Sequence, residues 1–324
     1  MEVPLLRLRL PVVLATRHRL ASGSGPAEAA HQAEITKGIG VYEQPISRKN
    51  RGCIVFLLDR SDSMKQTWGA SQQTLAEGAA SAVNDILFEL CLRSQVEPGK
   101  ARYYFDVGIF GYGIKPGSQE EGVAPAFDGV LAGKMLVPLP DLRSNPIAFR
   151  EVPSEDLGGP PSKLPIWVRP MHGRQTPMCQ AIAVAGAHVY DWAAVNPNSF
   201  PPIVINITDG MVTDNPYQGA NLDQWGERLT SIATNDGNTL LFNIFISPAT
   251  GAAGLLFPAS SSGLPFPGPE LFKISSPLPE RMVTSARSHS VPAQPGARGF
   301  GFNANSQMLV KFLEVGTRLD LARD

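Results

Sequence analysis

What this sequence has little of narrows it first. Cysteine is scarce: Cys53, Cys91 and Cys179 are the only three in 324 residues. An odd count without close pairing supplies neither a disulfide framework nor the paired thiols of a structural zinc site. Their apolar neighbours predict three buried free thiols in a reducing compartment. A surplus of one charge is missing too: 28 Lys and Arg stand against 29 Asp and Glu, a net charge of −1, so no attraction to nucleic acid or to an anionic membrane surface follows. No stretch approaches the ~20 apolar residues of a membrane span. The opening Met1-Glu2-Val3-Pro4 carries an acid where a secretory signal has basic residues, and Arg7 and Arg9 break the apolar run behind it. These absences predict a cytoplasmic protein with no nucleic-acid or membrane partner.

What is present is a chain with 43% apolar residues, enough to bury a sizeable core. It is organised around Cys53-Ile54-Val55-Phe56-Leu57-Leu58-Asp59-Arg60-Ser61-Asp62-Ser63-Met64. A partly β-branched apolar run that stops at acids and hydroxyls reads as a buried parallel strand with oxygen ligands at its C-terminal end. Asp59, Ser61 and Ser63 alternate, so their oxygens can converge in the turn that follows. Ile203-Val204-Ile205-Asn206-Ile207-Thr208-Asp209-Gly210 repeats the theme.

Between and beyond these strands the periodicity alternates. Leu75, Ala79, Val83, Ile86, Leu87 and Leu90 have helical spacing over Thr74–Leu92. Tyr103–Phe110 reads as a strand, and Gly111-Tyr112-Gly113 as a sharp loop after it. Met178–Trp192 and Asn221–Asn235 read as helices, Leu240–Ser247 as the last strand of the sheet, and Leu309–Leu319 as a closing amphipathic helix. Strand and helix in alternation predict an α/β fold with a doubly wound, mostly parallel sheet flanked by helices. Residues 1–50 read as an N-terminal extension, with a strand over Leu5–Leu14, a flexible linker or short helix over 21–37, and a short strand or ordered lead-in over Gly38–Ile46. The domain proper spans 51–324. It carries insertions at about 115–171, with a hairpin over Val130–Leu139 and a strand over Leu164–Val168, and at about 248–300, where Gly296, Gly299 and Gly301 read as a flexible turn.

Asp59-x-Ser61-x-Ser63, then Thr176 in Gly173-Arg174-Gln175-Thr176-Pro177 ahead of an Ala-rich helix, then Thr208-Asp209-Gly210 closing a strand: this series resembles the von Willebrand factor A (VWA) family and its metal-ion-dependent adhesion site. The resemblance covers about residues 51 to 247. It implies a site for Mg²⁺ (or Mn²⁺) in which Ser61, Ser63 and Thr176 supply hydroxyl oxygens and Asp59 and Asp209 carboxylates, and a hard cation suits such a set. It implies a metal-dependent protein-binding module that captures an acidic residue of a protein partner, without catalysis. Stand-alone intracellular bacterial members commonly act as scaffolds or adaptors beside kinase, phosphatase or AAA-type ATPase components.

One position departs from the family: Asp62 stands where glycine is usual. Its carboxylate either adds charge beside the ion or pairs with Arg60 and faces solvent, the second being favoured for adjacent charges on a turn. Singly, each residue also has a plain reading, Thr176 as the N-cap of a helix with Pro177 behind it. Two other functions stay open: a purely structural metal site in a regulatory protein, and an Mg-dependent phosphatase-like hydrolase. Against the hydrolase, the haloacid-dehalogenase type needs an aspartate where this chain has Ser61. No serine sits in a Gly-x-Ser-x-Gly elbow, and His18, His31, His172, His188 and His289 are scattered.

Overall fold

The computed structural model describes residues 41–322 apart from 70, 99, 153–160, 249–253, 289, 292 and 318–319. The strand expected over Leu5–Leu14 and the linker over 21–37 lie outside the described residues. From residue 41 the chain is an ordered lead-in: Tyr42 N–H donates to Asp236 O at 2.9 Å, and Glu43 and Gln44 N–H donate to the Asp236 carboxylate at 3.0 and 3.1 Å. Ile46 is fully buried and bridges to Leu321. The core therefore begins at Ile46, ahead of the expected Arg51.

The main sheet consists of β1 (Gly52–Arg60), β2 (Phe105–Ile114), β3 (Glu121–Pro125), β4 (Val137–Pro138), β5 (Ile203–Thr208), β6 (Leu240–Ile246), β7 (Leu255–Leu256) and β8 (Phe300–Ala304). Its order is β7-β8-β6-β5-β1-β2-β3, with β4 also paired to β2. β1 runs parallel to β2 on one side and to β5 on the other, and β5, β6 and β8 are parallel in turn. Only β3, β4 and β7, at the margins, are antiparallel. All nine residues of β1 are buried, which explains its unbroken apolar run. The chain leaves β1 toward β2 and later returns to β5 on the opposite side of β1. That reversal between β1 and β5 is where open α/β sheets bind ligands, outside the strands' C-terminal ends.

Helices cover both faces, so the fold is the expected doubly wound α/β class. Ile54, Phe56 and Leu58 face α1 (Leu75–Arg93), α2 (Leu139–Ser144), α6 (Glu280–Ser288) and α7 (Ser306–Thr317). Cys53, Val55 and Leu57 face α3 (Met178–Val195), α4 (Leu222–Thr230) and α5 (Gly268–Ile274). Two capping boxes start helices where the sequence places them: Thr74 with Glu77 for α1, and Asn221 with Gln224 for α4. Strand alternation then sends Asp59 to the α3 face and Arg60 to the α1 face. The three cysteines are buried and free. Among the described residues no helix is long and apolar enough to cross a membrane.

Several expectations need correction. Gly111-Tyr112-Gly113 is not a loop; β2 continues through it to Ile114. No hairpin forms over Val130–Leu139, because Pro138 and Pro140 end the extended run: Gly129–Leu131 is a 3-10 turn, Val137–Pro138 is β4 and a short helix starts at Leu139. The insertion's hairpin is Ala148–Val152 with Ser162–Ile166, so of the strand expected over Leu164–Val168 only Leu164–Ile166 forms, in a separate small sheet tied to α1 by Arg150 through Ser81 and Asp85. The α4 helix stops at Thr230, and a short hairpin of Ala233–Thr234 with Gly237–Asn238 follows. The sheet does not end at β6. The glycines expected as a flexible turn lead into and form part of β8, whose backbone presses on β6: a β-carbon on Gly299 would stand 2.0 Å from Phe242 Cδ1. The loop over 248–279 includes α5, with Phe257, Leu271 and Phe272 buried and Leu255 and Phe266 exposed.

Trp68, in the segment that joins β1 to α1, is pinned between β8 and α1. Its Nε1–H donates to Ala304 O at 3.2 Å, and a β-carbon on Gly78 of α1 would lie 2.2 Å from its ring. Ala in place of Gly favours a helix by about 1 kcal/mol, but overpacking a fixed ring costs about 1–3 kcal/mol. Gly78→Ala is expected to lower stability by up to about 2 kcal/mol in urea unfolding; a more stable variant would show that Trp68 is free to move aside.

Candidate metal centre

Three loops meet outside the C-terminal ends of β1 and β5. The first follows Asp59, which stands on β1 itself, and carries Ser61 and, in a 3-10 turn over Asp62–Lys65, Ser63; the second carries Thr176, just before α3; the third carries Asp209, just after β5. Asp59, Ser61 and Thr176 are buried, Ser63 and Asp209 half-buried. Backbone bonds lace the first two loops: Gly173 N–H donates to Arg60 O and Asp62 N–H to Arg174 O, both at 2.8 Å. Thr176 and Thr213 bond reciprocally, Thr176 N–H to Thr213 Oγ1 at 3.0 Å and Thr213 N–H to Thr176 O at 3.1 Å. Thr176 is not the cap of α3. Asp214, from the loop after β5, takes that role by accepting from Cys179 and Gln180 N–H at 2.9 and 2.7 Å, a pairing between distant segments that local sequence cannot signal.

The five residues named by the motif come together. Ser61 N–H donates to Asp59 Oδ1 at 2.8 Å, the Ser61 and Ser63 hydroxyls are 3.0 Å apart, and Ser63 Oγ donates to Asp209 Oδ1 at 2.8 Å. Thr176 closes the ring: the point where Gly210 would carry a β-carbon is 3.0 Å from Thr176 Oγ1 and 3.4 Å from Asp59 Oδ2. Thr208 was not among the expected site residues, yet its hydroxyl donates to Asp59 Oδ2 at 2.6 Å and accepts from Gly210 N–H at 3.0 Å. The Thr-Asp-Gly triplet contained it; only its position on the inward face of β5 reveals its partner.

The electrostatics are those of two acids held close together, one buried and one half-buried. Burial, and then the nearby Asp209 carboxylate, push Asp59 up to about 7, and burial raises Asp209 as well. The positive charge next in sequence gives no relief. Arg60 lies on the other face, 4% exposed, where a β-carbon on Gly111 would be 2.5 Å from its Nε. Its Nη1 has no hydrogen-bond partner, and burial lowers it to about 10 despite the field of Asp128. Gly111 is therefore the berth for a buried arginine. The expected pairing of Asp62 with Arg60 does not occur; Asp62 faces solvent and pairs with Lys65 at 2.6 Å.

Two under-compensated carboxylates with three hydroxyls form an all-oxygen donor set, which fits a hard divalent cation such as Mg²⁺ or Mn²⁺. Among the described residues no cluster of three or more His, Cys, Asp and Glu is placed to hold a metal, so a cation at this point would depend on the hydroxyls as much as on the acids.

No family model and no curated protein matches the chain. Its fold is similar in part to solved structures that include the following three. The ArnB paralog VWA2 from Sulfolobus acidocaldarius is 15% identical with a TM-score of 0.30, over 62% of this chain and 36% of that one. The pilus adhesin SpaC from Lactobacillus rhamnosus GG is 9% identical with a TM-score of 0.46, over 84% and 30%. The human COPII-coat protein Sec24c is 9% identical with a TM-score of 0.32, over 65% and 27%. The chain thus spans about a third of the length of these proteins or less.

A carboxyl held near 7 against an ordinary 3.8 makes the folded chain bind more protons than the unfolded one between those values. Stability of the protein in EDTA is therefore expected to fall as pH rises from 5 to 7, by roughly 2 kcal/mol from Asp59 alone, and to level off above. Urea midpoints at pH 5, 6, 7 and 8 check this, with Asp59→Asn losing most of the slope. A midpoint that climbs with pH across the window would refute the assignment of an uncompensated acid pair.

Proposed function

We infer that the chain is a VWA-type domain that holds Mg²⁺ or Mn²⁺ through Asp59, Ser61, Ser63, Thr176 and Asp209 and through it binds a carboxylate of a protein partner, acting as a scaffold or adaptor without catalysis of its own. One observation carries the reading: at the reversal of the sheet, a buried and a half-buried carboxylate, with no ion pair to either among the described residues, face three hydroxyl residues whose loops are tied by backbone bonds. Such a constellation is costly for the fold when empty and is relieved by a bound divalent ion. A bound ion supplies a positively charged point able to accept an oxygen donor from outside.

The chain's own residues set what can approach. Asp62 is offset by Lys65, so its departure from the family's glycine adds little repulsion toward an acidic partner. Arg174 and Met211 are exposed on the loops that carry Thr176 and Asp209. A cationic and an apolar group beside the site suit a partner that flanks its acidic residue with apolar side chains.

Calorimetric titration with Mg²⁺ tests the site directly. Wild-type protein is expected to bind, and Thr176→Ala and Asp209→Ala each to lose at least tenfold in affinity with far-ultraviolet spectra unchanged. Partners captured on wild-type protein with Mg²⁺ should be absent with EDTA and absent from both variants. Partners retained by both variants in an Mg²⁺-dependent way would sink the site assignment, and partners indifferent to EDTA would demote the ion to a structural role.

A further inference from the structure

The two sides of the metal centre differ. The loop that carries Thr176 leans over the ends of β2 and β3. A β-carbon on Gly173 would stand 3.2 Å from Ile114 Cδ1, at the end of β2, and Gln175 N–H donates to the Glu121 carboxylate on β3 at 3.0 Å. Arg174 Nη2 reaches Gln119 Oε1, in the turn between those two strands, at 3.5 Å. The loop that carries Asp209 follows β5, on the other side of β1, and leaves Met211 56% exposed. A group bound at the centre from outside therefore has Arg174 toward one side and Met211 toward the other.

Arg174 holds a backbone conformation that suits another residue. Its φ of +71° lies in the left-handed region, which glycine enters freely and a residue with a β-carbon enters at a cost. The loop needs that backbone, because Arg174 O accepts from Asp62 N–H at 2.8 Å and so ties itself to the turn between Ser61 and Ser63. It has no comparable need of the side chain. Arg174 is exposed, and its one contact, with an exposed glutamine, is at the outer limit of a hydrogen bond. Among the described residues it has no ion pair. The neighbouring acids are engaged elsewhere: Glu120 with Lys115 at 3.3 Å, Asp62 with Lys65, and Glu121 with the Gln175 N–H. A guanidinium kept where glycine would be unstrained, beside a binding centre and without a charge partner in its own chain, points outward to a ligand.

We propose that Arg174 is a specificity-determining residue of the metal centre. It binds a second acidic side chain of the same partner, beside the one taken by the ion, so that the segment recognised is an acidic peptide with two carboxylates. This rests on the metal-dependent reading above. The planar guanidinium can take a carboxylate through two N–H donors at once, and a first carboxylate held at the ion presents the second at a high effective concentration.

Fluorescence anisotropy of labelled, end-blocked peptides tests this. One peptide carries a single Asp among Gly and Ala, and its relatives add one Glu at increasing spacing on either side. In Mg²⁺ the best two-acid peptide is expected to bind wild type about three- to fivefold more tightly than the single-acid peptide, the effect of one exposed arginine–carboxylate pair. Arg174→Gly should bind the two alike, with the single-acid affinity of wild type, and Arg174→Lys should keep part of the margin. Lys115→Ala, which removes a cation already paired with Glu120, should keep all of it. Urea unfolding gives a readout that a structural role would move the other way: freed of a side chain in the left-handed region, Arg174→Gly should be at least as stable as wild type. Absence of Mg²⁺-dependent binding for every peptide would overturn the carboxylate-capturing reading and this one together. Where the single-acid peptide does bind in Mg²⁺, three results would overturn this one alone. They are equal affinity of wild type for one acid and two, a margin that survives Arg174→Gly or falls as far in Lys115→Ala, and a lower urea midpoint for Arg174→Gly.

Discussion

The confrontation of Asp59 with Asp209 is the constraint around which this molecule is arranged. Each acid ends a buried strand, and parallel pairing of β1 with β5 brings those ends together. Asp59 cannot move away without breaking the sheet. Everything near them answers that repulsion by donating hydrogen: Ser61 N–H and Thr208 to Asp59, Ser63 to Asp209. Such donors lower the cost of a buried carboxylate without abolishing it, which is why Asp59 remains raised in spite of them.

A cationic side chain would have been the simpler remedy, and one stands next in sequence. Strand alternation denies it: whatever follows Asp59 in β1 must point to the opposite face. Arg60 is accordingly buried where Gly111 leaves room and where Asp128 only partly answers its charge. A buried cation without a close partner costs stability. The end of β1 thus holds two unsatisfied charges of opposite sign, separated by the sheet itself, and only the negative one lies on the face where Ser61, Ser63 and Thr176 gather.

The parts of the fold legible in the sequence are those whose cause is local. The apolar runs of β1, β5 and β6 and the helical spacing of α1 and α4 announce themselves, and the spacing of Asp59, Ser61, Ser63, Thr176 and Asp209 suffices to name residues that the structure brings together. What escaped has non-local causes. Gly111 and Gly113 resemble turn residues because glycine usually marks turns, and here β2 needs glycine for the side chain and backbone of Arg60. β8 was hidden by glycines that let it press on Phe242. Asp214 caps a helix more than thirty residues before it. Asn206 and Asn243 look like interruptions of apolar strands until the register of β5 with β6 sets them side by side.

That last pair separates the two faces of the sheet. On the α1 face, Ile54, Phe56 and Leu58 meet a core of leucines, phenylalanines and alanines, and the buried amide there, Asn84, serves the local backbone of Trp167 and Val168. On the α3 face the same sheet carries Tyr112, Asn206 and Asn243 in contact with one another across β2, β5 and β6. A dry layer of that size could have been closed with valine or leucine at less risk, since a half-satisfied network is worse than none. The row meets its polarity within itself: Tyr112, Asn206, Asn243 and Ser275 bond in series, while the acids at the rim are answered by Ser61 N–H, Ser63 and Thr208.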